Sequence, residues 1–154
     1  MMYKSIVFIA CVISIISCKN TEEKKEKIKI DQYNTATNQT NQQSELEMSI
    51  SRGKEIYSDF CMQCHMPNGK GIPGNFPPLA GSNWLTEKRE ASINAVKYGQ
   101  NGEIQVNGVT YNNVMTPMGL SEKEVADVLN YAMNSWGNKQ EQMVTEAEVK
   151  SVSK

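Results

Sequence analysis

Apolar and polar positions divide the chain into stretches of different character. An apolar run from Ile6 to Ile16, broken only by Ser14, is too short to span a membrane comfortably. From 19 to 48 no apolar periodicity appears. A charged patch, Glu22 to Lys29, passes into an Asn/Gln/Thr stretch from Tyr33 to Gln43. Without a buried face this segment predicts a flexible coil, with a reach of roughly 30 Å. Helical spacing then starts: Ile50, Gly53, Ile56, Tyr57 and Phe60 share one face of a helix over 49–64. Residues 66–81 carry so many prolines and glycines that regular structure is forbidden there. A second helix is expected from Glu87 to Tyr98, capped by Thr86 and ended by Gly99 to Gly102, with Ile93 near the edge of its apolar stripe. Ile104, Val106, Val109 and Tyr111 flank Asn107-Gly108, a strong signal for a tight two-stranded hairpin. Ser121 to Glu124 forms a capping box before Val125, Val128, Leu129, Ala132 and Trp136, and Gly137 ends that helix. The rest is polar, with a further capping pattern at Thr145 to Glu148 that predicts a short helix on the surface.

Candidate chemistry concentrates at Cys61-Met62-Gln63-Cys64-His65. Two thiols three residues apart, with an imidazole directly after the second, make the attachment sequence for c-type haem. One helical turn sets both sulfurs at one porphyrin edge, each to form a thioether, and puts the imidazole beneath the iron as proximal ligand. His65 is the single histidine of the chain, so no other histidine competes for the iron. A structural zinc site would need further Cys or His ligands, and the other cysteines, Cys11 and Cys18, lie in the N-terminal segment. A thioredoxin-like redox pair would need a parallel-strand pattern around it, and none is present.

The sixth ligand is expected in the loop Tyr111 to Met118. A thioether is a soft donor that raises the reduction potential. Met115 is the candidate and Met118 its rival. In the proline-rich loop, a carbonyl of Pro77-Pro78 can accept the Nδ1–H of His65 and raise its basicity, and Pro78 is counted among the cofactor-binding residues. Trp84 either donates its indole N–H to a haem propionate or packs in the core.

With 154 residues there is room for one domain plus extensions, and a net charge of −1 leaves no electrostatic footprint for nucleic acid. Lys4 ahead of the apolar run makes residues 1–17 an export signal. Its end, Ile15-Ile16-Ser17-Cys18, resembles a bacterial lipoprotein processing site. That resemblance implies cleavage before Cys18, lipidation of Cys18, and an anchor at a membrane surface in the cell envelope, on the periplasmic side or outside. The expected organisation is signal 1–17, lipidated cysteine and linker 18–48, domain 49–138, and polar tail 139–154.

The order of an attachment motif after a first helix, a methionine loop and a capped last helix resembles class I c-type cytochromes, over about residues 50–138. Gly53 to Tyr57, Phe76 to Ser82, Val106-Asn107-Gly108 with Tyr111-Asn112, and Leu120 to Asn138 strengthen the likeness. These stretches are similar to the cytochrome modules of copper nitrite reductases, haem–copper oxidases and quinoprotein dehydrogenases. The resemblance implies an all-α small class I cytochrome c fold with a short β-hairpin insertion, and haem c on Cys61, Cys64 and His65. It implies a proline orienting His65, and Gly53 letting the last helix cross the first near Tyr131. Family members show Met-Pro after a Tyr-Asn-x-Val pattern, which maps onto Met115. Here Thr116 separates Met115 from Pro117, and Met118 follows. The implied function is a single-electron carrier, not an enzyme, serving a terminal oxidase, nitrite reductase or dehydrogenase or forming part of one. The rival is a peroxidase-like haem enzyme or gas sensor with an open or labile sixth site. A closed site needs no distal residue, and the chain has no second histidine to serve as one.

Overall fold

The structure is a computed structural model that describes residues 22–140 and 142–154, with side chains from residue 41 onward. The export signal and Cys18 lie outside the described residues. The chain divides into two units, residues 1–39 and 40–154. No described helix is long and apolar enough to cross a membrane.

The elements are α1 (Glu22–Phe60), α2 (Met62–His65), α3 (Asn83–Glu87), α4 (Arg89–Tyr98), β1 (Ile104–Val106), β2 (Val109–Tyr111), α5 (Glu122–Met133) and α6 (Glu146–Ser151). The hairpin closes at Asn107-Gly108, pairing Ile104 with Tyr111 and Val106 with Val109. Both turn residues have positive φ, as such a two-residue turn requires.

Helix α1 departs from expectation at its start. The stretch read as coil is helical from Glu22 onward. No glycine or proline interrupts 22–52, and Lys, Glu and Gln are good helix formers, so a helix persists there without a stripe to bury. In the second unit, Ser49, Gly53 and Tyr57 form the buried stripe, and Phe60 is exposed. A Cβ on Gly53 would lie 1.9 Å from the carbonyl oxygen of Asp127 and 2.9 Å from Cβ of Tyr131. Glycine is what lets α1 and α5 cross at backbone contact. Polar groups lock the crossing. Arg52 grips the Asp127 carboxylate with two bonds of 2.7 Å, and Ser49 donates to it at 2.7 Å.

Two further boundaries shift. The helix expected over 87–98 forms as α4 from Arg89, and a separate short helix, α3, precedes it. Ser82, not Thr86, is the first cap, accepting from the Trp84 N–H. Thr86 sits inside α3 and bonds back to the Asn83 carbonyl. Ile93, expected near an edge, is fully buried in the core. Helix α5 has the expected capping box at Ser121 and Glu124. It stops at Met133, before Trp136, which has φ +54°. Outside the helix, Trp136 packs on Tyr57 and Tyr131 (ring centres 5.0 and 5.4 Å away) and covers Gly69.

The largest correction concerns the C-terminal segment. Its helix forms, but as part of the core. Val144, Val149 and Val152 pack with Leu85, Ile93, Val125, Leu129 and Met133. Buried Asn130 of α5 holds Val144 on both backbone groups: its Nδ2 donates to the carbonyl at 2.9 Å and its Oδ1 accepts from the N–H at 2.7 Å. Arg89 of α4 pairs with Glu148 and donates to the carbonyls of Gln142 and Met143. Lys97 closes the far end on the carbonyls of Val149 and Val152. Polar residues on the outer face of this segment conceal three buried valines.

Candidate functional site

After Tyr57 the α1 backbone gives one more bond, Cys61 N–H to the Tyr57 carbonyl, and the short turn α2 begins. His65 N–H donates to the Cys61 carbonyl at 2.9 Å, closing the turn that carries Cys61, Cys64 and His65. The next residue, Met66, has φ +63°, a costly conformation for a side-chain-bearing residue. Two donors hold its carbonyl there, the Gly69 N–H at 3.0 Å and the Tyr57 hydroxyl at 2.7 Å. The chain is thereby turned into the loop of residues 67–81.

That loop folds back on His65. Gly71 N–H donates to the His65 carbonyl, and the Leu79 and Ala80 N–H groups both reach the Gly69 carbonyl. Asn138 ties the loop to the end of α5, donating to the carbonyls of Leu79 and Ala132. His65 Nδ1 lies 3.0 Å from the Pro77 carbonyl oxygen. A carbonyl can only accept, so this pairing puts the ring proton on Nδ1 and leaves the Nε2 lone pair free. The partner is thus Pro77, correcting Pro78. Both prolines border the cleft, and only the first carbonyl meets the ring. Burial lowers the His65 pKa, against a smaller opposing effect of the Pro77 bond, so the imidazole is neutral and able to bind a metal near neutral pH.

His65, Cys61 and Cys64 open onto one cleft with about 1250 Å³ of empty space, part of it open to solvent. Its wall is mostly apolar, with Leu85, Val96, Ile104, Val128 and Leu129 among its residues. Met115 and Met118 both reach it, and so does Trp84. The Trp84 indole N–H donates to the Gln105 carbonyl of β1 at 2.7 Å. Trp84, for which the sequence left a propionate donor and a core residue both open, instead fastens the hairpin to α3, by a bond the sequence could not reveal because its acceptor is a backbone atom. Asn83 and Asn107 complete that junction by exchanging side-chain-to-backbone bonds of 2.9 Å.

The methionine loop is anchored at a place that sequence patterns did not mark. Gln100 and Met115 pair as a bridge of two backbone bonds, 2.8 Å each way. Further along, Asn113 donates to the Asn75 carbonyl, linking this loop to the proline-rich one.

The residues present fit haem c. The two thiols and the imidazole line one cleft, and its mostly apolar wall suits a macrocycle. Among the described residues no buried side-chain nitrogen or oxygen lacks a partner, so the wall offers no orphaned polar group to an apolar face. Both thiols are unpaired and only partly buried. Burial, with the neighbouring Cys64 adding to it, pushes the Cys61 pKa up to about 11. Among the described residues no cluster of three His, Cys, Asp or Glu side chains could hold a metal ion without such a group.

A family profile described as cytochrome c matches residues 50–136. Cytochrome c-552 of Thermus thermophilus is 42% identical over 98 residues, covering 60% of this chain and 66% of that protein. The cytochrome c subunit of a quinone alcohol dehydrogenase from Gluconacetobacter polyoxogenes is 35% identical over 101 residues, covering 63% of this chain and 21% of the subunit. A cytochrome c subunit of the same kind from Gluconobacter oxydans is 36% identical over 90 residues, covering 56% of this chain and 18% of the subunit. The matched region thus spans just under two thirds of cytochrome c-552 and about a fifth of the dehydrogenase subunits. With more than half of its length matched and a helical fold carrying one small hairpin, the chain belongs to the cytochrome c family, whose members hold covalently attached haem c and its iron.

Proposed function

We propose that this protein is a one-electron carrier with haem c held by Cys61 and Cys64, ligated by His65 and Met115, and tethered to a membrane through Cys18. The carrying observation is the cleft itself. One apolar cavity gathers both thiols, a buried imidazole with Nδ1 engaged by Pro77, and Met115 on a backbone-clamped loop. When bound there, haem c supplies a ferrous–ferric couple for one-electron exchange. The protein's part is to position and to exclude. Pro77 fixes the imidazole orientation, the apolar wall keeps water from the cleft, and the Met115 thioether favours the reduced state. With the iron held by both His65 and Met115, no position would be left for a substrate.

The family supports a carrier rather than an enzyme, and so does the cleft, whose lining holds one histidine and no arginine to polarise a bound peroxide. The relatives that are cytochrome subunits of quinone alcohol dehydrogenases support a redox protein such as a dehydrogenase as partner; a terminal oxidase or nitrite reductase as partner rests on the resemblance of the sequence motifs alone. Such exchange suits a small, transient interface. The segment ending in Ser17-Cys18 supports a lipid anchor in the cell envelope, on the periplasmic side of a bacterial membrane.

The test is an absorption spectrum of the haem-loaded protein, oxidised and reduced, with and without carbon monoxide. A methionine–iron charge-transfer band with no carbon monoxide response is expected. An absent band with ready carbon monoxide binding would replace the carrier by an open-site enzyme or sensor. For the anchor, Cys18→Ser should release the protein from membranes. Retention of the variant in the membrane fraction would count against lipidation.

A further inference from the structure

We propose that Gly99 and Gln100, where α4 ends, are the positioning element that holds Met115 in place as sixth ligand. The inference rests on the assignment of Met115 above and concerns how that ligand is kept there.

Backbone geometry singles out this pair. Gln100 donates to the Met115 carbonyl and accepts from the Met115 N–H, both at 2.8 Å, so the ligand's own backbone is fixed on both sides. Gly99 makes this approach possible. It has φ +85° and ψ 168°, a region open essentially to glycine alone. A Cβ on it would lie 2.6 Å from the Met115 carbonyl oxygen and 2.9 Å from Cδ of Pro117. Any side chain at 99 therefore presses on the loop on both sides of Thr116.

The clamp is itself rooted in the core. Gly99 N–H caps α4 on the Ala95 carbonyl at 3.0 Å. Fully buried Ile93 holds that helix in the core. A path of bonds thus runs from the core to Met115. Met118 has no such support. Among the described residues no hydrogen bond engages Thr116 to Gly119, although Met118 reaches the same cleft. Two chemically equivalent thioethers face the cleft, and one is held where it stands. The inserted Thr116 does not prevent this, because the bridge acts on Met115 from the side of Gln100.

The experiment uses the full haem-loaded chain carrying Met118→Leu throughout, so that the methionine–iron band reports Met115 alone. Gly99→Ala in this background is expected to lose more than half of the band and to bind carbon monoxide when reduced. Gln100→Pro, which deletes the N–H given to Met115, is expected to do the same more weakly and serves if Gly99→Ala does not fold. Val149→Ala, a destabilising change outside the cleft, is expected to lower Tm and keep the full band. A native band without carbon monoxide binding in the foldable clamp variants overturns the positioning role. So does equal band loss in Val149→Ala, which would make the effect general loosening. A Met118→Leu parent already lacking the band overturns instead the assignment of Met115, so the two failures are distinguishable.

Discussion

Val149→Ala tests whether the C-terminal segment belongs to the core. Val149 is 0% exposed and packs among Val125, Leu129, Met133 and Val144. The substitution removes two methyl-sized groups, worth about 1.6 kcal/mol at roughly 0.8 kcal/mol each in lost burial. A cavity term adds to this at about 24 cal/mol per Å³ wherever the surroundings fail to collapse. For the roughly 50 Å³ vacated, that is up to about 1.2 kcal/mol. The expected loss is therefore about 1.6 to 2.8 kcal/mol. Urea unfolding of the haem-loaded protein, followed by far-ultraviolet circular dichroism, should show a lower midpoint with an unchanged slope. Thermal unfolding should show Tm falling by roughly 5–12 °C. A loss under about 0.5 kcal/mol, the range of ordinary surface substitutions, would refute the reasoning and return the segment to the surface.

Further predictions concern the helix crossing, acid stability and the iron. Gly53→Ala should separate α1 from α5, because its Cβ meets the Asp127 carbonyl at 1.9 Å; a loss of about 3 kcal/mol or more in urea unfolding is expected. Burial alone would raise the Asp127 pKa, but hydrogen bonds from Arg52, Ser49 and Lys123, with the Arg52 charge, hold it below its ordinary value of 3.8. The folded state thus binds fewer protons than the unfolded one, and this stabilisation is complete above pH 3.8 and lost as pH falls through the folded value. Asp127→Asn should therefore flatten the fall in stability on acidification below about pH 4, which pH-resolved urea unfolding reads directly. Met115→Ala should lower the midpoint potential and admit carbon monoxide, while Met118→Ala should do neither; potentiometric titration and carbon monoxide difference spectra would show the opposite pattern if Met118 were the ligand.

How much was legible in the sequence follows from the range of each interaction. The attachment motif, the Asn107-Gly108 hairpin and the Ser121–Glu124 capping box are local, each needing only residues a few positions apart, and they stand in the structure where patterning puts them. Gly53 was legible too, through family resemblance, since its role at the α1–α5 crossing shows no local sign beyond a glycine inside a helical stripe.

Other features depend on partners distant in the chain. Two adjacent prolines look alike in sequence, and only the folded loop decides that Pro77 rather than Pro78 meets the imidazole. Trp84 gives its N–H to a carbonyl of β1, an acceptor every residue possesses and no sequence pattern advertises. The C-terminal segment was misplaced because its average polarity hides Val144, Val149 and Val152, and because the pairing that seats it joins Asn130 to backbone atoms of Val144. The Gln100–Met115 bridge is likewise backbone to backbone. The sequence by itself determined the cofactor-binding turn, the hairpin and the capped helix, because helical periodicity, turn chemistry and motif spacing act over short range. Tertiary structure alone decided which carbonyl orients His65, how the methionine loop is held and what closes the core, because each rests on backbone groups common to all residues and selected only when distant segments meet.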